Sequence, residues 1–325
     1  MKHISILVPY DAVPAAIVDP RYLFTTVNQF LIAAGKEPAF NVQLVGLERQ
    51  IPLNNNVFAV NTDALCNEVD KTDLVIIPAL SGDMKLAIER NKDLLPWIVK
   101  QYNSGAEVTS LCLGAFLLAS TGLLNGKACS THWFLADEFR AMFPEVTLAD
   151  GSIITEGDRL YSSGGASSYW NVLLNLVEKY SGREMAIRIS KFFALEIDRK
   201  SQSPFIMFNG QKKHEDEPIK KAQEFIEENL TERISIEDLA TRFAIGRRHF
   251  IRRFKKATNN TPAEYIQRVK IEAAKKHLEN TRKNVNEVMY DVGYTDVKTF
   301  RTVFKKITGL SPIDYKHRFN RDSAA

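Results

Sequence analysis

The sequence predicts a doubly wound α/β sheet domain followed by an all-helical domain with two helix-turn-helix units, and three observations predict it. Apolar, strand-like runs alternate with helical stretches through the first half of the 325 residues. Near the C-terminus one module is written twice, its equivalent residues fifty positions apart. The charge is also divided: residues 218–325 carry 23 Lys and Arg against 14 Asp and Glu, whereas residues 1–217 carry 20 against 25. The net charge of +4 therefore hides a basic C-terminal part and an acidic N-terminal one, as a nucleic-acid surface confined to one domain requires.

Residues 3–8 form a continuous apolar strand ending in Pro9-Tyr10-Asp11, and a helical stretch follows from about Pro20 to Ala34. Residues 40–47 read as a second strand. Leu74-Val-Ile-Ile-Pro78, bare of charge, is a third, and its loop Ala79-Leu-Ser-Gly-Asp83 leads to helical segments through Gln101. Residues 107–111 make a further strand and residues 114–119 begin the next helix. A strand at 160–163 and the turn Gly164-Gly165 precede a helix at 167–180. Apolar strands alternating with helices imply a mostly parallel sheet covered on both faces, a flavodoxin-like arrangement.

The sharpest point of this half is Ser110-Leu-Cys112-Leu-Gly114. A strand running through a small-x-nucleophile-x-Gly turn into a helix is a nucleophile elbow, which projects one side chain at the C-terminal edge of the sheet. Backbone N–H groups at the helix N-terminus favour a thiolate or a bound anion there. A Cys in an apolar run also serves as a small buried hydrophobe; the turn context selects the functional position. Candidate pocket residues are Cys112 and Leu113 at the elbow, Gly82 for backbone donors, His132 and Trp133, and Gly164 and Gly165. His132 has a structural role as its alternative, and Trp133 is either core or lid.

Residues 196–217 read as a linker between a domain at 1–195 and one at 218–325, since from Asp198 the pattern breaks into polar residues and the run Lys212-Lys-His-Glu-Asp-Glu217. Within it, Pro204-Phe-Ile-Met-Phe208 is too apolar to be wholly free.

The repeated module sets Gly246-Arg-Arg-His-Phe-Ile-Arg-Arg-Phe-Lys-Lys256 against Asp296-Val-Lys-Thr-Phe-Arg-Thr-Val-Phe-Lys-Lys306. On a helix, Phe250 and Phe254, or Phe300 and Phe304, share one apolar face, and the cations fall on or beside the opposite one. Amphipathic segments at 235–243 and 285–292 precede the two copies, with Gly246 or Gly293 at or near the break, so each is helix, tight turn, basic helix. Thr261-Pro-Ala-Glu264 and Ser311-Pro-Ile-Asp314 then supply a hydroxyl N-cap, a Pro at the first helical position and an acid at the third. The first opens a helix to about Asn280, long enough to hold two recognition helices near successive major grooves. Arg247, Arg248, Arg252, Lys298, Thr299 and Arg301 are the DNA-contact candidates; Arg serves phosphates and guanine edges alike, so base and phosphate roles stay open.

With Thr261-Pro262 and Tyr265 answered by Ser311-Pro312 and Tyr315, residues 219–319 resemble the DNA-binding domain of AraC-type transcription regulators. Met289, Asn260 and Thr302 depart from the family pattern. Residues 1–195 resemble a PfpI-type, class I glutamine-amidotransferase-like domain through Cys112-Leu-Gly-Ala-Phe-Leu-Leu-Ala119, Gly122-Leu-Leu-Asn-Gly126 and Thr131-His-Trp133, and the whole chain resembles the GlxA-type regulators. The resemblance implies a sequence-specific regulator that binds operator DNA, a homodimer, and a small effector that is a nitrogenous metabolite such as an amino acid or betaine. Enzymes of that superfamily place His directly after the Cys, or a late His/Glu pair. Here Leu113 follows, and the acidic position after the first strand falls on Ala16, with Asp11 and Asp19 out of register. A cysteine nucleophile needs a base and a partner to orient it; the incomplete set predicts a pocket without a reaction. The alternative is a cysteine-dependent amidase or hydrolase fused to a DNA-binding module.

Cys66, Cys112 and Cys129 make neither a paired framework nor a metal-ligand spacing, so no metal and no cofactor is expected. No apolar run reaches the ~20 residues of a membrane span, and the N-terminal run is too short for a signal peptide, which predicts a cytoplasmic protein.

Overall fold

The computed structural model describes residues 1–197 and 201–320. Residues 198–200 of the expected linker and 321–325 of the expected DNA-binding domain lie outside the described residues. The chain divides into two compact units, Met1–Gln202 and Ser203–Ala325.

In the first unit, β1 (Lys2–Leu7) and β2 (Phe40–Gly46) are followed by the hairpin β3 (Gln50–Leu53) and β4 (Phe58–Asn61), then by β5 (Ala64–Leu65), β6 (Leu74–Ile77) and β7 (Glu107–Ser110). Next come β8 (Ala128–Cys129) and β9 (Thr147–Leu148), a short parallel pair, and the antiparallel pair β10 (Ile154–Gly157) and β11 (Leu160–Ser163). The main sheet runs β10-β11-β7-β6-β1-β2-β5, parallel except at β10–β11. Its helices are α1 (Pro14–Ala33), α2 (Met84–Arg90), α3 (Leu95–Asn103), α4 (Gly114–Ser120), α5 (Ala136–Met142), α6 (Tyr169–Ser181) and α7 (Arg183–Phe192).

Alternation along each strand feeds two cores. Ile4, Ile6, Leu74 and Ile76 pack with α1, α6 and α7 on one face, while Leu7, Val75, Ile77 and Val108 pack with α3 and α4 on the other. Because both faces are covered, β6 (Leu-Val-Ile-Ile), near the middle of the sheet, reads as an unbroken apolar run. The first helix departs from expectation. It starts at Pro14, so Pro20 lies inside it. An interior proline costs about 3 kcal/mol through its lost hydrogen bond and ring clash; burial of Ala16, Ile17, Leu23, Phe24 and Val27 in one core carries the helix through it.

The second unit holds α8 (Glu217–Glu228), α9 (Ile236–Arg242), α10 (Arg247–Thr258), α11 (Pro262–Asn280), α12 (Val285–Asp291), α13 (Val297–Thr308) and α14 (Pro312–Phe319). It has two cores threaded by α11. Tyr265 and Val269 join Phe250 and Phe254 in one; Ile271, Ala274 and Leu278 join Phe300 and Phe304 in the other.

The duplication extends to side-chain geometry. Phe254 meets Tyr265 edge-on at 5.2 Å between ring centroids, and Phe304 meets Tyr315 at 5.4 Å. Both helix-start motifs form: Thr261 Oγ1 accepts the Glu264 N–H at 3.3 Å and Ser311 Oγ that of Asp314 at 3.1 Å.

The fifty-residue register holds only from the recognition helices onward. In the preceding helices Leu239 answers Val288 and Ala240 answers Met289, one residue closer. The left-handed break falls at Ala244 (φ 52°) and Gly293 (φ 72°), so Gly246, expected near the break, is instead the N-cap of α10 at φ −57°. Gly293 lies against neighbouring backbone: a Cβ there would come within 2.6 Å of the Thr231 carbonyl oxygen. Beside it the buried Lys270 ammonium donates to the carbonyls of Glu232 (3.1 Å) and Gly293 (3.4 Å), joining the two halves.

The described residues of the expected linker are engaged. The Glu196 carbonyl accepts from Asn171 at 2.7 Å, Phe205 packs on Phe319, Phe208 packs on Tyr265, and Asp216 holds Arg253 through two bonds of 2.8 and 2.7 Å. No helix among the described residues is long and apolar enough to cross a membrane.

Candidate ligand site and nucleic-acid interface

The elbow forms as its residue types require. Between β7 and α4, Cys112 takes a left-handed conformation (φ 53°), uncommon and strained for a side chain of this kind. Two contacts hold it: its N–H donates to Ser163 Oγ (3.3 Å), and its carbonyl accepts from Thr131 Oγ1 (3.2 Å). Gly114 begins the helix where α4 crosses the end of β6, and a Cβ would overlap the Pro78 carbonyl and come within 2.7 Å of that of Ile77. Only glycine admits so close an approach.

The thiolate expected at this helix N-terminus is not favoured. Cys112 is 4% exposed, and burial pushes its thiol up to about 12 against a backbone hydrogen bond from Leu113 that acts the other way. Cys129, an ordinary core residue in β8, is likewise pushed to about 12. In this seven-residue helix, desolvation outweighs the terminal N–H groups.

His132 is engaged in a local cap. Its Nδ1 accepts the Phe134 N–H at 3.1 Å, capping a short turn at Trp133–Leu135, and burial lowers its pKa, favouring the neutral ring. The acid nearest in role is Asp19, on α1, which accepts from the Tyr169 hydroxyl at 2.6 Å. Burial, then the Asp19 carboxylate, raise the Tyr169 pKa. Asp11 is bound to Arg90 instead, at 2.7 and 3.0 Å.

Six of the seven candidate pocket residues gather around the elbow: Cys112 and Leu113, His132 and Trp133 after Thr131, and Gly164 and Gly165 after Ser163. Gly82 lies on the exposed loop after β6, at φ 81°, with open space where a Cβ would stand. Sequence reasoning missed Gln202. Its side chain is buried between these segments, with Oε1 accepting from the Trp133 N–H (3.3 Å) and Nε2 donating to the carbonyls of Thr131 (3.0 Å) and Ser152 (3.1 Å). Among the described residues no group of three His, Cys, Asp or Glu is placed to hold a metal ion.

In the second unit α10 and α13 each bury two Phe and expose the opposite face. Arg247, Arg248 and Arg252 are exposed on α10; Lys298, Thr299 and Arg301 are exposed on α13. Arg247 also approaches Glu237 at 3.3 Å, whereas Arg253 is turned to Asp216. The Asp296 side chain accepts the Thr299 N–H at 2.7 Å, fixing the start of α13. Arg301 lines a cleft of about 390 Å³ with Asn284, Lys316 and His317. Sequence reasoning did not group those residues with it, because they come together only through packing of α12 and α14 on α13.

Comparison with known proteins follows this division. Residues 28–179 match the DJ-1/PfpI family and residues 239–318 a helix-turn-helix domain. The HTH-type transcriptional regulator GbdR of Pseudomonas aeruginosa (strain UCBPP-PA14) is 26% identical over 266 residues, covering 78% of this chain and 69% of that one. The HTH-type transcriptional regulator ArgR of P. aeruginosa (strain PAO1) is 25% identical over 222 residues, 68% of this chain and 67% of its own. Among solved structures, a THiJ/PfpI family protein of Pseudomonas syringae shares the fold of the first unit, with a TM-score of 0.51 at 16% identity over 61% of this chain and 76% of that one.

Proposed function

We propose that this chain, which joins a DJ-1/PfpI domain to an AraC-type helix-turn-helix domain, is a DNA-binding transcription regulator whose first domain senses a small molecule at the Cys112 elbow without catalysing a reaction. The observation that carries the DNA-binding part is the duplicated unit: two basic helices, each fixed by a buried Phe pair and a Tyr, both packed on one α11. Fixed cationic faces of this kind suit insertion into successive major grooves. Arg247, Arg248, Arg252, Lys298, Thr299 and Arg301 are the contact set, and a homodimer acting in the cytoplasm is part of the same proposal.

The non-catalytic reading rests on the elbow's chemistry. A cysteine nucleophile works as a thiolate, and Cys112 sits in surroundings that keep its proton on. His132 spends one ring nitrogen on the Phe134 N–H. A strained elbow around a protonated thiol suits a binding site.

The test is a salt titration of the full chain on the DNA upstream of its own operon, beside a scrambled duplex of equal length. A specific complex that survives at ~150 mM salt while the scrambled duplex is released supports the regulator. Equal release of both refutes sequence-specific reading at that DNA. Cys112→Ser should leave operator binding intact; turnover of an amide or ester substrate that disappears in this variant would overturn the non-enzymatic reading.

A further inference from the structure

Gln202 is the last residue of the first unit, and its amide occupies the candidate site. It is 3% exposed, and its backbone is pinned as well, the N–H donating to the Gly151 carbonyl at 2.8 Å. The notch receiving the amide is made of backbone: carbonyls of Thr131 and Ser152 on one side, the N–H of Trp133 on the other. Two acceptors and one donor are the complement of a primary carboxamide, which has two N–H donors and one oxygen acceptor. Gly164 makes room for it, since a Cβ at that position would overlap Gln202 Nε2 and lie 2.7 Å from the Thr131 carbonyl oxygen.

Both walls of the notch are tied to the elbow. Thr131 donates its hydroxyl to the Cys112 carbonyl, and Ser163, next to Gly164, accepts the Cys112 N–H. Just after Gln202 the same segment is fastened within the second unit. Lys275 Nζ donates to the Ile206 carbonyl (2.6 Å) and to Glu272 Oε2 (2.7 Å), and that carboxylate accepts the Phe208 N–H (3.1 Å). These contacts lie on α11, the helix that carries both cores.

We propose that the Gln202 notch is the effector subsite, filled by the chain's own carboxamide as a tethered competitor, and that an effector bearing N–H donors expels Gln202 and so releases the segment leading to the DNA-binding unit. The proposal rests on the reading of the elbow as a sensor site and narrows its ligand class. Two facing carbonyls select a primary amide, ammonium or guanidinium; a quaternary ammonium has no N–H to give them and is excluded from this notch. A side chain held on a short tether competes at an effective concentration in the millimolar range, so a free effector must bind well or exceed it.

The test uses the full chain as wild type, Gln202→Ala and the volume-preserving Gln202→Met, with folding checked by circular dichroism. The probe is propionamide, which reproduces the Gln side chain, beside N,N-dimethylpropionamide and trimethylglycine as controls without N–H donors. By calorimetric titration, Gln202→Ala should bind propionamide at least tenfold more tightly than wild type does, and bind neither control. Operator affinity of both variants should differ at least threefold from wild type, and propionamide should not restore it, because the filled notch still lacks its tether. Failure of Gln202→Ala to bind propionamide, or equal binding of the dimethyl compound, overturns the subsite. Wild-type operator affinity in both variants, or its full restoration by propionamide, overturns the coupling. Failure of the regulator reading itself is separable: wild type would then not distinguish operator from scrambled duplex at all.

Discussion

Replacing Arg248 and Lys298 together by Ala tests the DNA-binding face most directly. Each is exposed on its recognition helix, one per copy, and neither neighbours the buried Phe pairs, so the variant should fold normally. If both side chains neutralise phosphates, the slope of log K against log salt becomes shallower by ~0.9 for each, about 1.8 together. Over a fourfold rise from ~50 to ~200 mM salt, the variant then loses roughly 12-fold less affinity than wild type does. If instead they contact guanine edges, the slope holds and discrimination against scrambled duplex falls by about 1–3 kcal/mol per contact. Arg253→Ala is the internal control: its guanidinium is held by Asp216, so its loss should alter stability and leave the slope alone. Fluorescence anisotropy across a salt series separates these outcomes. A double variant with the affinity, slope and discrimination of wild type would show that α10 and α13 do not face DNA.

Three further results are expected. Gly114→Ala forces a Cβ onto the Pro78 and Ile77 carbonyls, backbone that has no rotamer to yield, and should destabilise the first unit by about 1–3 kcal/mol, lowering its thermal midpoint; an unchanged midpoint would refute the close helix–strand approach. Burial pushes Cys66 up to about 11 and Cys112 and Cys129 up to about 12, so at pH 8 these thiols stay protonated and native protein should resist iodoacetamide until unfolded; one rapid equivalent, lost in Cys112→Ser, would contradict this. Arg253 beside Asp216 holds its carboxyl below the ordinary 3.8, so the pair stabilises the fold above that value and its contribution fades as pH falls through the lower, folded-state pKa; Asp216→Asn should lower the urea midpoint at pH 6 and converge on wild type in strong acid, and a gap that widens toward acid would refute the linkage.

Much of the fold could be read from the chain because both sheet faces are buried, which writes strands such as Leu74–Ile77 as pure apolar runs. The elbow was legible because few turns combine a small residue, Cys and Gly after a strand. The duplicated unit was legible because two cores of one design must repeat their Phe and Tyr. The β3–β4 hairpin was missed although a signal existed: Ile51 and Leu53 alternate with exposed neighbours, and Asn54, Asn55 and Asn56 turn the chain with φ of 50°, 54° and 66°. Pro20 misled because local propensity weighs the missing hydrogen bond and not the core beneath it. The acidity of Cys112 was misjudged for a related reason, since the sequence displays a helix start but not the depth at which it lies. Gln202 left no trace at all. A glutamine in a polar stretch has no periodicity, and its role depends on three carbonyl and amide groups drawn from distant segments.

The helix α11 acts as a ruler with a fixed phase. Nineteen residues at roughly 1.5 Å each span about 28 Å, with one core gripping Val269 and the other Ile271. One residue inserted between these grips would advance the second unit of the repeat by only ~1.5 Å but turn it by ~100°, and Lys298 and Arg301 with it, relative to Arg248. The buried Lys270 and the backbone seat of Gly293 leave no slack to absorb such a turn. On the proposed reading, substitutions on the two exposed helix faces would retune which bases are read, while an insertion or deletion within α11 would change the distance and angle between the two words of the operator.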